Sequence, residues 1–292
     1  MAGHGRKIGV APMLAASQGG VCLWRSRRLA RDSPAISTSR CGNDPATFEQ
    51  MSVAANLSRI EGDSLLSRLD MPDPIVIPTY FHEEGQLSEA RLAEQLHVLN
   101  RVYAPHNISF DLKETTRTVN IAWALNSDGL AMRRSLRRGG YDSLNLYFIG
   151  FMFALGYCTL PSPEASVEGS NLFTYDGCVM LGETIPGGAP GPYDGGRTTT
   201  HEVGHWLHLL HTFDGVCTCV GDLVHDTPAQ ASDSVGCPIG RDSCPDRLGL
   251  DPIHIYMDYT DDVCMEEFPP GQAFRMRAAW YNLRGGKSVS LA

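Results

Sequence analysis

The chain has 292 residues, of which 42% are hydrophobic and 20% are charged, a composition typical of a soluble globular protein with one large domain or two smaller ones. Its charge is divided unevenly: residues 1–40 hold seven Lys or Arg and one acid, whereas the remainder holds 17 bases and 32 acids. The acidic body argues against nucleic acid as a partner, and no apolar run reaches the ~18 residues that a membrane span needs.

The first 72 residues are interpreted as a leader and a pro-segment. The start, RKIGVAPMLAAS, combines basic residues with a short apolar run and small residues, which predicts a signal peptide over residues 1–20. The Arg and Ser content would also fit a mitochondrial transit peptide. The cysteines downstream favour the signal peptide, because disulfides persist in oxidising compartments, and we expect a secreted protein. Residues 21–72, which show little periodicity, are predicted to form the pro-segment.

Ordered structure is predicted to begin with the β-rich run IVIPTYFH at 75–82. Helical spacing of apolar residues in LSEARLAEQLHVLNRVYA predicts an amphipathic helix. Further strands are predicted at ISFDL, at LNLYFIGF and at NLFTYDGCVML, which spans 171–181. A loop rich in Gly and Pro precedes residue 201, and few regular elements follow until a helix at 271–284. This order predicts an α+β fold with a mixed α/β half and then an irregular half.

The nine cysteines are concentrated in the irregular half. Five of them lie between residues 217 and 264, at Cys217, Cys219, Cys237, Cys244 and Cys264. This clustering indicates local disulfides formed in an oxidising compartment. The alternative is a second zinc site bound by cysteines, but the spacings fit the usual C-x₂₋₄-C pairs poorly.

The string HEVGHWLHLLH, which begins at His201, carries the pattern of a catalytic zinc site. On a helix, His201 and His205 lie one turn apart on one face, and Glu202 can hold a water at the open metal position. HExxH alone also occurs by chance in unrelated helices. His211, the sixth residue after His205, completes the long form of the signature, and Met257 can supply the methionine turn that this form requires.

These motifs closely resemble the pappalysin family of metzincin metalloendopeptidases, and within it the secreted metalloproteases of fungi. The likeness is carried by HEVGHWLHLLHTFDGVC, GDLVHDTP, DSCP, DPIHIYMDYTDDVC and GQAFRM, and it extends back through LGYCTLP, GYDSLNLYF and LNRVYAPHNISF to about residue 75. It implies a metzincin-like catalytic domain over 73–292 with two subdomains, 73–211 and 212–292. The first subdomain would hold a mixed sheet and the active-site helix, and the second subdomain would be cross-linked by disulfides.

The resemblance implies a zinc-dependent endopeptidase that hydrolyses peptide bonds with zinc-activated water. Its substrates would be proteins or peptides, with no nucleic acid or membrane partner, and we expect a monomer. One catalytic zinc ion would be bound by His201, His205 and His211. Glu202 would be the general base, Met257 would form the turn beneath the metal, and Tyr259 would help to stabilise the transition state.

The resemblance also implies structural sites in the second half. It implies a disulfide between Cys237 and Cys264, and a second one that joins Cys244 to Cys217 or Cys219. Calcium is the other implied ion, because some members bind it at the positions of Asp222, Asp226 and Thr227. The alternative at these three residues is a turn that the Asp side chains hold.

Two further residues are singled out by their positions. Cys41, in RCG, resembles the latch of family zymogens, in which a thiolate occupies the fourth position of zinc; the alternative is a structural disulfide partner. Asp262 matches an acidic pocket residue of the family by its position relative to Met257. A carboxylate there predicts cleavage on the amino side of Arg or Lys, and the alternative is a surface turn residue. The strand at 171–181 is expected to pair with the extended substrate.

His208 stands where the family has glycine. It shares a helix face with His201 but lies about 10 Å further along the axis, so binding both to one zinc ion would need awkward rotamers, which His211 does not require. We therefore interpret His208 as a left-handed residue that ends the helix, at a cost of roughly 1–2 kcal/mol. The alternative is a non-catalytic metzincin-like binding module whose zinc site is impaired by His208. The retained Glu202 and Met257 favour the enzyme, and a zinc amidase is disfavoured because the matched family cleaves proteins.

Overall fold

The computed structural model describes residues 39–44, 46–63, 73–85, 87–189, 191–218 and 221–285. The predicted signal peptide, part of the predicted pro-segment and Cys219 lie outside these ranges. Within them, no helix is both long enough and apolar enough to cross a membrane.

Six strands form one mixed sheet. They are β1 (Ser39–Cys41), β2 (Ile75–Glu83), β3 (Ile108–Arg117), β4 (Leu144–Ile149), β5 (Ala154–Cys158) and β6 (Cys178–Leu181), in the spatial order β1-β5-β6-β4-β2-β3. Strands β3, β2, β4 and β6 are parallel to one another, β5 is antiparallel to β6, and β1 pairs with β5 in parallel. The mixed sheet of the predicted α+β fold is confirmed, and β1 occupies the outer edge of β5.

The helices cover both faces of this sheet. They are α1 (Phe48–Asp63), α2 (Glu89–Tyr103), α3 (Ile121–Ala124), α4 (Gly129–Leu136), α5 (Asn171–Tyr175), α6 (Arg197–Trp206) and α7 (Pro270–Ala279), and a π-helical turn, Trp280–Arg284, follows α7. On one face, Leu99 of α2 and Val203 of α6 pack in a core with Phe148 of β4. On the other face, Met132 of α4 packs with Tyr147 of β4. Because both faces are covered, every residue of β4 is buried.

The predicted pro-segment contains structure that its sequence pattern does not reveal. The short strand β1 pairs with β5, and α1 packs on α7 through Leu57 and Phe274. An ion pair joins Glu61 of α1 to Arg275 of α7, both buried, at 3.6 Å between Oε2 and Nη2. The expectation that order begins near residue 75 is therefore wrong. These two elements depend on contacts with distant residues, which local periodicity does not encode.

The predicted strand over 171–181 is wrong in its first half. Residues 171–175 form α5, because the Ser170 hydroxyl accepts a hydrogen bond from the backbone N–H of Phe173 and so begins a helix. Gly177 has φ 127°, and a Cβ there would lie 2.6 Å from the carbonyl oxygen of Asn145, so only glycine lets the chain enter β6 here. Since β6 lies between β4 and β5, its backbone cannot pair with a substrate, and that expectation is also wrong.

Three disulfides lie in the described part of the chain. Cys217 pairs with Cys244 and Cys237 pairs with Cys264, both in the irregular half. The third disulfide, between Cys158 and Cys178, joins β5 to β6 at directly opposite positions and was not predicted. Cys41 retains its thiol and is buried, so the interpretation of Cys41 as a structural disulfide partner is wrong.

Helix α6 ends abruptly at His208, which has φ 68°. The N–H of His208 donates to the His205 carbonyl at 2.8 Å, and the N–H of Leu209 donates to the Gly204 carbonyl at 2.9 Å. These two bonds define a Schellman motif, which needs a left-handed residue at this position. The interpretation of His208 as that residue is confirmed. Its imidazole is buried, and neither ring nitrogen has a hydrogen-bond partner among the described residues.

Replacing His208 by glycine is expected to give a more stable protein than replacing it by alanine. Both variants remove the buried imidazole, but only glycine adopts a left-handed φ without a clash of Cβ. We expect the free energy of unfolding of His208→Gly to exceed that of His208→Ala by about 1 kcal/mol in urea denaturation. Equal stabilities would show that the backbone is not strained here, and loss of zinc from His208→Gly would show that His208 is a ligand.

Candidate metal centre

Three histidine rings converge on one point beside α6. The Nε2 atom of His205 lies 3.1 Å from Nε2 of His201 and 3.0 Å from Nε2 of His211. All three residues are buried. The Cys41 sulfur lies 3.6 Å from the same His205 nitrogen, and the four ligand atoms lie within 4.8 Å of one another. Within the described ranges, this is the one group of three or more His, Cys, Asp or Glu residues with such spacing.

Each ring is oriented by an oxygen acceptor at its other nitrogen. Nδ1 of His201 lies 2.7 Å from the Tyr256 carbonyl, and Nδ1 of His205 lies 2.8 Å from the Leu209 carbonyl. Nδ1 of His211 faces the Asp214 carboxylate at 3.5 Å. Hydrogen on Nδ1 therefore satisfies these acceptors and leaves the three Nε2 lone pairs directed at the common point.

The donor set fits zinc. Nitrogen ligands with bonds of ~2.0–2.1 Å around a tetrahedral zinc ion lie a little over ~3 Å apart, close to the separations seen here. Burial lowers the pKa of His201 well below its usual range and lowers the pKa of His205 to about 3, so both rings are neutral, as metal ligands must be. Lone pairs brought this close repel one another, and a cation between them would remove that repulsion.

Glu202 is buried next to the Cys41 thiol, and no other described group hydrogen-bonds its carboxylate oxygens. Burial raises the pKa of Glu202 to about 8. Burial and, next, the charge of Glu202 raise the pKa of the Cys41 thiol well above its usual range. A bound cation would oppose both effects, because it favours the charged forms. A Cβ at Gly156 of β5 would lie 2.7 Å from Cγ of Glu202, so glycine lets the sheet edge approach the carboxylate.

Met257 and Tyr259 complete the surroundings of the three rings. Met257 is buried, and a Cβ at Gly204 would lie 2.5 Å from its sulfur, so glycine in α6 makes room for the methionine. The hydroxyl of Tyr259 lies 3.3 Å from Nε2 of His211 and donates to the Cys41 carbonyl at 3.3 Å. Tyr259 therefore lies beside the ring cluster and Met257 packs against α6, and the methionine turn and the transition-state role stay predictions.

Asp262 lies in a buried pocket filled by Arg40. One carboxylate oxygen is 2.6 Å from Nη2 of Arg40, and the other accepts from the backbone N–H groups of Gly195 and Arg197 at 2.9 and 3.2 Å. Nη1 of Arg40 donates to the Thr260 carbonyl at 2.6 Å. The alternative of a surface turn residue is therefore wrong for Asp262. Arg40 was not predicted as a site residue, although its place beside Cys41 in RCG was a signal.

The residues proposed for calcium support the start of α7. Asp222 accepts hydrogen bonds from the Val224 backbone and from Gln272, each at 3.0 Å, and Asp226 accepts from the Gly271 backbone at 2.8 Å. Burial raises the pKa of Asp222 to about 7. These bonds fit a turn held by Asp side chains, and calcium binding at Asp222, Asp226 and Thr227 stays a prediction.

The chain is similar to known metallopeptidases along most of its length. Residues 145–280 match the sequence model of the family Peptidase_M43, described as pregnancy-associated plasma protein-A. An extracellular metalloprotease of Verticillium alfalfae is 49% identical over 272 residues, which are 90% of this chain and 98% of the relative. Extracellular metalloprotease 1 of Coccidioides posadasii is 46% identical over 268 residues, which are 89% of this chain and 95% of the relative.

Solved structures of mirolysin have a similar fold. Mirolysin in complex with a compound superposes with a TM-score of 0.63 at 28% identity, over 72% of this chain and 93% of mirolysin. Mature mirolysin of Tannerella forsythia in complex with a cleaved peptide gives a TM-score of 0.58 at 28% identity, with the same shares covered. The metzincin-like fold expected from the sequence is thereby confirmed. With close relatives matched over nearly their whole length, the chain belongs to the pappalysin family of metzincins and is a zinc metalloendopeptidase.

Proposed function

We propose that this protein is a secreted endopeptidase in which His201, His205 and His211 hold one catalytic zinc ion and Glu202 is the general base. The convergence of three Nε2 atoms beside a buried carboxylate carries the proposal. The names of the fungal relatives as extracellular metalloproteases support secretion and protein or peptide substrates. Residues 1–20 would be the signal peptide, 21–72 the pro-segment and 73–292 the catalytic domain.

Zinc, when bound, supplies polarisation of the scissile carbonyl and lowers the pKa of a water molecule. Glu202 would accept a proton from the attacking water, whose oxygen would form the new bond to the carbonyl carbon. Glu202 then passes the proton to the amide nitrogen, so that the C–N bond breaks and the amine leaves. The Tyr259 hydroxyl, 3.3 Å from Nε2 of His211, donates a hydrogen bond to the developing oxyanion.

The same proposal includes a latent precursor held closed by β1. The Cys41 sulfur is the fourth ligand atom of the cluster, where it excludes the water that hydrolysis needs. A thiolate is a strong zinc ligand, so this position would be filled until β1 leaves. Arg40 blocks the Asp262 pocket at the same time. The pro-segment is also held by α1, which follows β1 in the chain and packs on α7. Removal of the pro-segment would open both positions together.

The Asp262 pocket is proposed to bind Arg or Lys of the substrate after the scissile bond. The contacts of Arg40 support this, because a guanidinium there meets a carboxylate, the Thr260 carbonyl and, at 5.0 Å, the ring of Tyr193. Asp262 is buried, so a charge of opposite sign is needed to compensate it. Once β1 leaves, a substrate side chain with a positive charge would provide that compensation.

Replacing Glu202 by Gln is expected to lower casein hydrolysis by at least ~10²-fold while the zinc content and the fold are retained, because the amide keeps the shape and cannot accept the proton. Each protein is activated with a trace of trypsin, which is then inhibited. Glu94→Gln, at an exposed position of α2, is the matched control and should keep parent activity. Hydrolysis by Glu202→Gln at the parent rate would contradict the mechanism.

Replacing Asp262 by Ala is expected to abolish a preference for Arg or Lys after the scissile bond. The parent enzyme should cleave peptides with Arg there at least ~10-fold faster than peptides with Leu, since a buried ion pair with two hydrogen bonds is lost with Leu. Asp262→Asn, which keeps the size of the side chain, should lose the preference as well, whereas Asp261→Ala should keep it. A parent enzyme that prefers bulky apolar residues at this position would contradict the role of Asp262.

A further inference from the structure

The metal centre and the Asp262 pocket together fix the direction of a bound substrate. In β1, Arg40 lies in the pocket, Cys41 follows it at the metal centre, and the strand runs parallel to β5. Cleavage on the amino side of an Arg requires the residue before that Arg to lie at the metal. A substrate with its Arg in the pocket must therefore run opposite to β1, antiparallel to β5. This step rests on the proposed function.

The register of β1 then places the following substrate residues. Ser39 is level with Ala154 and Cys41 with Gly156, so Arg40 is level with Leu155. If the substrate Arg takes the place of Arg40, the next substrate residue is level with Ala154. The one after it, the third residue beyond the scissile bond, comes next to Phe153, the residue directly before β5. Residues opposite each other on paired strands point to the same face, so their side chains meet.

Phe153 is an aromatic residue exposed at this position. Its side chain is 81% accessible, and the ring of Phe151, 48% accessible, packs edge-on against it at 5.4 Å between centroids. Met152 between them is buried in the core that contains Met132 and Tyr147, as is Ala154. Both Phe rings therefore lie outside that core, just before β5 and beside the position that a substrate residue level with Phe153 would take.

The loop that carries the two rings is held by α3. The backbone N–H groups of Gly150 and Phe151 both donate to the Ala124 carbonyl, at 3.1 and 2.9 Å. Large exposed apolar side chains next to a functional cleft are typical of binding surfaces, because their exposure to water is unfavourable. The backbone that carries the rings of Phe151 and Phe153 is therefore fixed by hydrogen bonds next to the start of β5.

We propose that Phe153, against which Phe151 packs, determines substrate specificity. Its ring would bind a bulky apolar side chain of the third substrate residue after the scissile bond. The occupant is the substrate itself, paired with β5 and anchored by its Arg in the Asp262 pocket. The preferred sequence after the cleaved bond would thus be Arg or Lys, then any residue, then an aromatic or large aliphatic residue.

The test uses quenched-fluorescent peptides with Arg, Ala and a variable residue X after the scissile bond, where X is Phe, Leu or Ser. The activated wild-type protein, Phe153→Ser and Phe153→Leu are compared with Ile239→Ser, a matched control at a position 86% accessible. We expect wild type to have a kcat/KM roughly fivefold higher with Phe than with Ser at X, as cross-strand aromatic pairs allow. The ratio should fall to near one in Phe153→Ser, stay above one in Phe153→Leu, and be unchanged in Ile239→Ser.

A wild-type ratio near one, or an unchanged ratio in Phe153→Ser, would overturn the role of Phe153. A second series, with Arg, Lys or Leu directly after the scissile bond, reports the Asp262 pocket separately and should be unaffected in all three variants. Product masses identify the cleaved bond. Cleavage on the carboxyl side of Arg would contradict both the proposed function and the substrate direction, and it is distinguishable from a failure of Phe153 alone.

Discussion

The metal centre depends on the point at which α6 ends. The rings of His201 and His205 meet because one turn of helix separates them, whereas the ring of His211 reaches the same point only if the chain reverses direction within a few residues. The left-handed φ of His208 provides this reversal. The same turn places the Leu209 carbonyl 2.8 Å from Nδ1 of His205, so the end of the helix both delivers the third ring and orients the second. His208 thus adopts a left-handed backbone conformation that glycine would adopt with less strain.

On the proposed account, inhibition and recognition use the same two contacts. Arg40 and Cys41 occupy the acidic pocket and the metal centre, but the chain between them runs opposite to a substrate. The peptide bond beside the metal in the precursor is then on the carboxyl side of Arg40, not on the amino side that the enzyme would cleave. Reversal of direction therefore allows a segment with substrate-like side chains to resist cleavage while it fills the cleft.

What the sequence could predict was local. The spacing of His201, His205 and His211 and the periodicity of α2 arise from single helices and a short turn, and the structure places both as expected. The helix at 171–175 was missed because one cap residue, Ser170, outweighed a β-rich composition. The pairing of β1 with the edge of β5, the disulfide between Cys158 and Cys178, and the ion pair of Arg40 with Asp262 could not be predicted. Each joins residues that only the folded sheet brings together.

The zinc coordination of the purified, latent full-length chain tests this account most directly. X-ray absorption at the zinc edge should show one zinc ion per chain with three nitrogen ligands at ~2.0–2.1 Å and one sulfur ligand at ~2.3 Å. The Cys41→Ser variant should keep the zinc ion and lose the sulfur contribution. Zinc that is bound by nitrogen and oxygen alone in the latent wild-type chain, or an absence of zinc, would contradict the account.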